Sequence, residues 1–119
     1  MEATYHTRGE TRVIELLPGS PLDGEAAALE VIQLCAEYQA DRVLIPSGGL
    51  GEAFFNLRSG AAGDVLRKFS MYRVTAAAVA SAEEIGQGKF YEFALETNRG
   101  TTFRLYSTRE AALDWLLAA

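Results

Sequence analysis

Apolar residues in this chain fall into short runs and into stripes of helical spacing, and the two kinds of segment alternate. TRVIELL, residues 11–17, is a mostly apolar run of strand length closed by Pro-Gly-Ser-Pro, and it predicts a strand. Residues 4–7 are a weaker candidate to pair with it through a turn at Arg8-Gly9-Glu10; otherwise residues 1–9 are a frayed end. A helix is expected over 22–39. Ser20 would cap it, Asp23, Glu25 and Glu30 lie toward its positive end, and Leu29, Ile32, Cys35 and Ala36 recur on one face, widened by Val31, Leu34 and Tyr38. RVLIP, 42–46, is a second strand. A loop holding Gly48, Gly49 and Gly51 leads from it to a short helix over 52–57. Another helix begins near Gly60, with Ala62, Val65, Leu66, Phe69 and Tyr72 as its inward stripe. RVTAAAVA, 73–80, reads as a buried strand whose alanines admit close helices.

Residues 89–97 are ambiguous. They fit a hairpin closed by Asn98-Arg99-Gly100, or a helix ending at that glycine before a strand at 102–106; Phe90, Phe93, Ala94 and Thr97 favour the helix slightly. The last helix is capped by Thr108 and lined by Ala111, Ala112, Trp115 and Leu116. Strands alternating with helices predict an α/β fold. A single domain over 1–119 is expected, built on one mainly parallel sheet of four to five strands with helices packed on it.

Composition narrows the function classes. The net charge is −5 over 119 residues, which argues against nucleic acid as the main partner because phosphate binding needs clustered positive charge. The one cysteine, Cys35, cannot make an internal disulfide or a multi-cysteine zinc site, and it lies on an apolar stripe. MEATYHTRGETR lacks the basic-then-apolar pattern of a leader, and the apolar runs are too short to span a bilayer, so a cytoplasmic protein is expected. His6 is the only histidine and sits in the segment expected to fray. Glu83-Glu84 reads as solvated loop charge. No cofactor or metal site is indicated.

The stretches FFNLRSGAAGDVLRKFSMYRV (54–74), FYEFALETNRG (90–100) and STREAALDWL (107–116) resemble a bacterial family of domains of unknown function, number 4180. The resemblance implies a helix over 89–97 and brings no activity. Where that family has FFDL, Thr-Gly and a strand ending Gly-Asp, this chain has Asn56, Ser59 and Ala80-Ser81, so two carboxylates are missing at neighbouring loop ends. A weaker likeness is to the anti-sigma-factor antagonist (STAS) class. Those domains also alternate strands with helices and present a Ser-Gly at a helix start, and in some members that serine is phosphorylated to break a partner complex. Ser59-Gly60 occupies a comparable place, and RLYSTREAALDWL is similar to the end of that class. Fold-level likeness transfers no function by itself.

Two sets of residues emerge as candidate sites. Phe54, Phe55, Asn56, Arg58, Ser59, Gly60 and Gly63 combine adjacent aromatics, a capping hydroxyl, a cation and a bare small-residue face, as a regulatory or interaction surface would. Ser47, Gly48, Gly49, Ser81, Phe90 and Phe93 would line a pocket where the strands' carboxyl ends meet. The glycine loop lacks Gly-Lys-Ser/Thr and the dinucleotide spacing. An enzyme would have to use Ser47, Ser59, Ser81, Tyr72 or a carboxylate with Arg58 or Arg73, and nothing in the sequence positions such a set. The leading expectation is therefore a non-enzymatic regulatory or protein-interaction domain of STAS-like type, with a protein or a second copy as partner. The alternative is a small-molecule or lipid binder using the pocket.

Overall fold

The computed structural model describes residues 1–19 and 21–118, so Ser20 and the cap expected of it lie outside the described residues. Five strands form one sheet in the order β1-β2-β3-β4-β5: β1 (Ala3–Arg8), β2 (Thr11–Leu16), β3 (Arg42–Ile45), β4 (Thr75–Val79) and β5 (Phe103–Tyr106). β2 to β5 are parallel, and β1 runs antiparallel to β2 as a hairpin. The sheet is thus mixed, and the first residues are an ordered edge strand. The hairpin closes in two residues because Gly9 takes φ 61, the left-handed value such a turn needs at its first position.

Strand order that follows chain order has a consequence for layering. With crossovers of one hand, every crossover helix lands on the same face of the sheet. That face is covered by α1 (Glu25–Glu37), α2 (Glu52–Phe55), α3 (Ala61–Met71) and α5 (Lys89–Thr97). They bury Ala28, Val31, Cys35, Phe54, Ala62, Val65, Phe69, Phe90 and Ala94 against Ile14, Val43, Ile45, Ala76, Ala78, Phe103 and Leu105. After β5 the chain passes to the opposite face, where α6 (Arg109–Leu117) lays Ala112 and Leu116 on Val13, Leu44 and Ala77. The central strands are therefore buried on both faces, which is why they read as continuous apolar runs without alternation. Among the described residues no helix is long and apolar enough to cross a membrane.

Several local expectations are corrected. The first helix begins at Glu25, not Leu22. Leu22 is extended and fully buried, bridged to Leu50, and its N–H donates to the Gly49 carbonyl at 2.7 Å. Gly24 is the N-cap and offers no side-chain cap. The buried stripe of α1 runs through Ala28, Val31 and Cys35, while Leu29 and Ala36 are exposed, because α1 packs against α3 as well as the sheet. The short helix expected over 52–57 stops at Phe55, and a separate 3-10 turn follows at Leu57–Ser59.

Tyr72 is exposed, not part of the inward stripe of α3, and Ala111 is likewise exposed on α6. The C-termini of α1 and α3 explain both the helix ends and the place of Tyr72. Ala40 N–H bonds Cys35 O at 2.8 Å and Val74 N–H bonds Phe69 O at 2.8 Å, the six-to-one bonds of Schellman motifs. The left-handed residues there are Gln39 (φ 55) and Arg73 (φ 57), where glycine is the usual signal.

Candidate functional site

Residues 51–61 turn the chain sharply between β3 and α3, and the turn is held from within. Asn56 ends α2 and caps the 3-10 turn, its Oδ1 accepting from Arg58 N–H at 3.2 Å. Ser59 closes that turn. Its hydroxyl lies 2.5 Å from Ala53 O and 2.7 Å from Asn56 O, and Ser59 Oγ accepts from Ala61 N–H at 3.1 Å. Gly60, at φ 79, is the N-cap of α3. Ser59 is exposed, yet its hydroxyl faces two carbonyls and binds α2, the 3-10 turn and α3 into one unit. Gly63 is exposed, with open space around it.

The two adjacent phenylalanines take different roles. Phe54 is fully buried and stacks on Phe103 at 5.3 Å, with Phe90 and Phe93 edge-on at 6.1 and 6.5 Å. Phe55 is half-buried and meets Phe90 at 5.0 Å. Phe54 is thus the core support beneath an aromatic surface made by Phe55 and Phe90.

That surface is one wall of a groove of about 330 Å³ lined by Phe55, Asn56, Leu57, Arg58, Ile85, Gly88, Lys89 and Phe90. It lies between the turn after β3 and the α4–α5 segment, α4 being Ala82–Ile85. This places it over the carboxyl ends of β3 and β4. Four of the lining side chains are apolar and two are cations; none is a carboxylate. Among the described residues neither Arg58 nor Lys89 is paired with an acid, whereas Arg67, Lys68, Arg99 and Arg109 all are. In a chain of net charge −5 the charged side chains lining the groove are thus both cations.

The residues expected to form one pocket are divided. Phe90 lines the groove, Phe93 supports it from below, and Ser47, Gly48 and Gly49 line a separate cleft of about 50 Å³ beside Leu16 and Pro46. Gly49 is explained by packing, since a Cβ there would lie 2.7 Å from Ile45 Cγ2. Ser81 caps α4 in a full capping box: its Oγ accepts from Glu84 N–H at 3.0 Å while Glu84 Oε1 accepts from Ser81 N–H at 2.9 Å. Glu83-Glu84 is accordingly helical and not loop charge. Positions 56 and 81, where the resemblance shows this chain lacking two carboxylates, are both cap positions. Asp, Asn and Ser serve interchangeably there.

Residues 8–116 match the family model described as Domain of unknown function (DUF4180). The chain belongs to that family. No curated protein and no solved structure matches it. The matched span of this DUF4180 domain takes in the groove, Ser59 and α6 up to Leu116, and leaves out most of β1.

One ionic cluster of the DUF4180 domain went unread in the sequence. Glu15 of β2 accepts from Arg109 of α6 through both carboxylate oxygens at 2.7 Å, and His6 Nε2 lies 2.7 Å from Oε1. The Arg109 guanidinium, chiefly, with His6 beside it, holds the Glu15 carboxyl down at about 2 against the opposing effect of burial. His6 thus lies in a strand paired with β2, not in an unpaired end. The available signal was Glu15 itself, a lone acid inside an apolar run. Burial, with Asp41 nearby, pushes the Cys35 thiol up to about 12, so it is protonated and unreactive. Among the described residues no group of three or more His, Cys, Asp or Glu side chains is close enough to hold a metal ion.

Proposed function

We propose that this DUF4180 domain is a non-enzymatic, regulatory protein-interaction module of STAS-like type. Its groove takes a short segment of a partner protein that offers an apolar anchor beside one or more carboxylates. The observation that carries the reading is the pairing of an aromatic wall, Phe55 and Phe90, with two cations that have no acidic partner among the described residues, at one site of an acidic chain. Apolar area desolvated in the groove would supply most of the binding energy, and the charges would set orientation and partner choice. Alternating strands and helices, and an exposed Ser-Gly before a helix, support the STAS likeness.

Selection from a phage-displayed peptide library, with the Arg58→Glu/Lys89→Glu variant as counter-selection, tests this. Enriched sequences should carry an acid near an aromatic or aliphatic residue, and they should bind the double variant about tenfold more weakly or worse. No enrichment over the charge-reversed variant contradicts the reading. So does a groove that responds to decanoate but to no peptide, which is the outcome of the small-molecule alternative.

Ser59 is the regulatory element in this reading. Its Oγ lies within hydrogen-bond distance of two carbonyl oxygens, so a phosphoryl group on Oγ would set negative charge against both. The turn carrying Phe55 to Arg58 would loosen, and with it one wall of the groove. Ser59→Asp should weaken a selected peptide about tenfold while Ser59→Ala weakens it only a few-fold, because alanine removes the bonds without adding repulsion. Isothermal titration of both variants measures the difference; equal effects contradict the switch.

A further inference from the structure

The two edges of the sheet are finished differently. At the β5 edge, the outward-facing polar groups are occupied by the end of α5. Thr97 Oγ1 donates to Phe103 O at 2.7 Å, and the Asn98 side chain both donates to Leu105 O at 3.0 Å and accepts from Leu105 N–H at 2.8 Å. An amide side chain there stands in for a neighbouring strand. At the β1 edge the cover among the described residues is a single side-chain bond. Leu17 N–H bonds Glu2 O at 2.9 Å, which fixes the hairpin phase: Glu2, Thr4, His6 and Arg8 bond β2, and Ala3, Tyr5 and Thr7 turn their main chain outward. Of these groups, among the described residues, only Ala3 O has a partner, the Tyr38 hydroxyl at 3.0 Å, and a carbonyl accepts twice. The ladder from Ala3 to Arg8 has no bulge and no proline, and Tyr5 is 54% exposed. A bulge and a proline, two of the usual edge defences, are therefore missing here, and the charges present are Glu2, His6 and Arg8.

We infer that the occupant of this edge is a second copy of the same chain, paired antiparallel through β1 so that two sheets join into one of ten strands. The register follows from which groups face out and from charge. Ala3, Tyr5 and Thr7 must occupy hydrogen-bonded positions. Centring on Tyr5 places Ala3 opposite Thr7 of the second copy and Glu2 opposite its Arg8, twice by symmetry. Roughly six main-chain hydrogen bonds form. Sliding by one step in either direction instead sets Glu2 against His6, or Glu2 against Glu10 and His6 against His6. Glu2 and Arg8 have no ionic partner within the described residues of one copy, so the intermolecular pairs are new and opposite in sign. Tyr5 is already held in place by Tyr38 at 5.7 Å and by the Arg12 guanidinium at 5.3 Å, so little freedom is lost when the two tyrosines meet.

A contact confined to one strand is small, so the dimer should populate at micromolar and higher concentration. Sedimentation velocity from about 5 to about 500 µM should show a monomer passing to a dimer. Glu2→Arg and Arg8→Glu should each raise the dissociation constant about fivefold, and the two together should restore it, since the swap rebuilds both pairs. Tyr5→Pro removes an outward N–H without touching the β2 ladder and should abolish dimerisation with circular dichroism unchanged. A monomer throughout this range overturns the inference, and so does a dimer that ignores the charge reversals or survives Tyr5→Pro. The edge shares no residue with the groove, so neither result bears on peptide binding.

Discussion

Phe54→Ala should lower the stability of the fold by about 3–5 kcal/mol, the largest single-residue loss expected outside a charge burial. Phe54 has no exposed surface and contacts four other phenylalanine rings: Phe55, Phe90, Phe93 and Phe103. These come from α2, α5 and β5, so no one element can close the cavity by shifting alone. Domains of this size have total stabilities of about 5–15 kcal/mol, so the variant should sit near its unfolding threshold at 37 °C. Urea titration followed by the near-ultraviolet signal gives the value. Phe54→Leu, which refills most of the volume, should recover more than half of the loss. A loss under about 1 kcal/mol for the alanine variant would mean the aromatic cluster is not the keystone of the α2–α5 face. Because Phe55 and Phe90 rest on Phe54, the groove should lose its shape before the sheet unfolds.

The acid limb of the stability curve should be shaped by Glu15. A carboxyl held at about 2, against an ordinary 4.5, binds its proton less readily folded than unfolded. The native state is therefore favoured wherever the carboxylate is ionised. The contribution is complete above about pH 4.5 and is lost as pH falls toward 2. Glu15→Gln should cost about 2 kcal/mol at pH 7, less than the full shift because Arg109 is half exposed and its attraction is screened. It should also flatten stability between pH 4.5 and 2 relative to the parent. Urea midpoints across that range test both statements. A parallel offset at every pH would show that the residue acts through packing and not through its charge. The cluster ties β1, β2 and α6 together, so the loss should fall mainly on the α6 face.

The sequence carried the alternation of elements, the buried strand in 73–80 and the Thr108 cap, because these rest on periodicity and local chemistry; the helix over 89–97 came from the family resemblance, since periodicity alone favoured it only slightly. It carried α1 on to Gln39 and put Tyr72 on the inward stripe of α3, because Gln39 and Arg73 occupy left-handed positions that glycine normally marks. It misjudged the start of α1 because Leu22 pairs with Leu50, a contact across 28 positions that no local pattern records. Its two candidate sites shared a boundary the sequence could not draw. Phe55, Asn56 and Arg58 meet Phe90 only once α2 and α5 lie side by side on the same face. Ser81, expected in the pocket, caps α4, and Asn56, expected on the interaction surface, both caps the 3-10 turn and lines the groove; Glu15, which the sequence reading did not single out, pairs with His6 and Arg109.

Amide chemical-shift mapping of the ¹⁵N-labelled domain, titrated with a selected acidic-apolar peptide, tests the groove most directly. The account predicts that shifts concentrate at Phe55–Gly60 and Ile85–Tyr91 and disappear in the Arg58→Glu/Lys89→Glu variant. Shifts centred on the cleft at Ser47–Gly49 or on α6, with the groove silent, would contradict it.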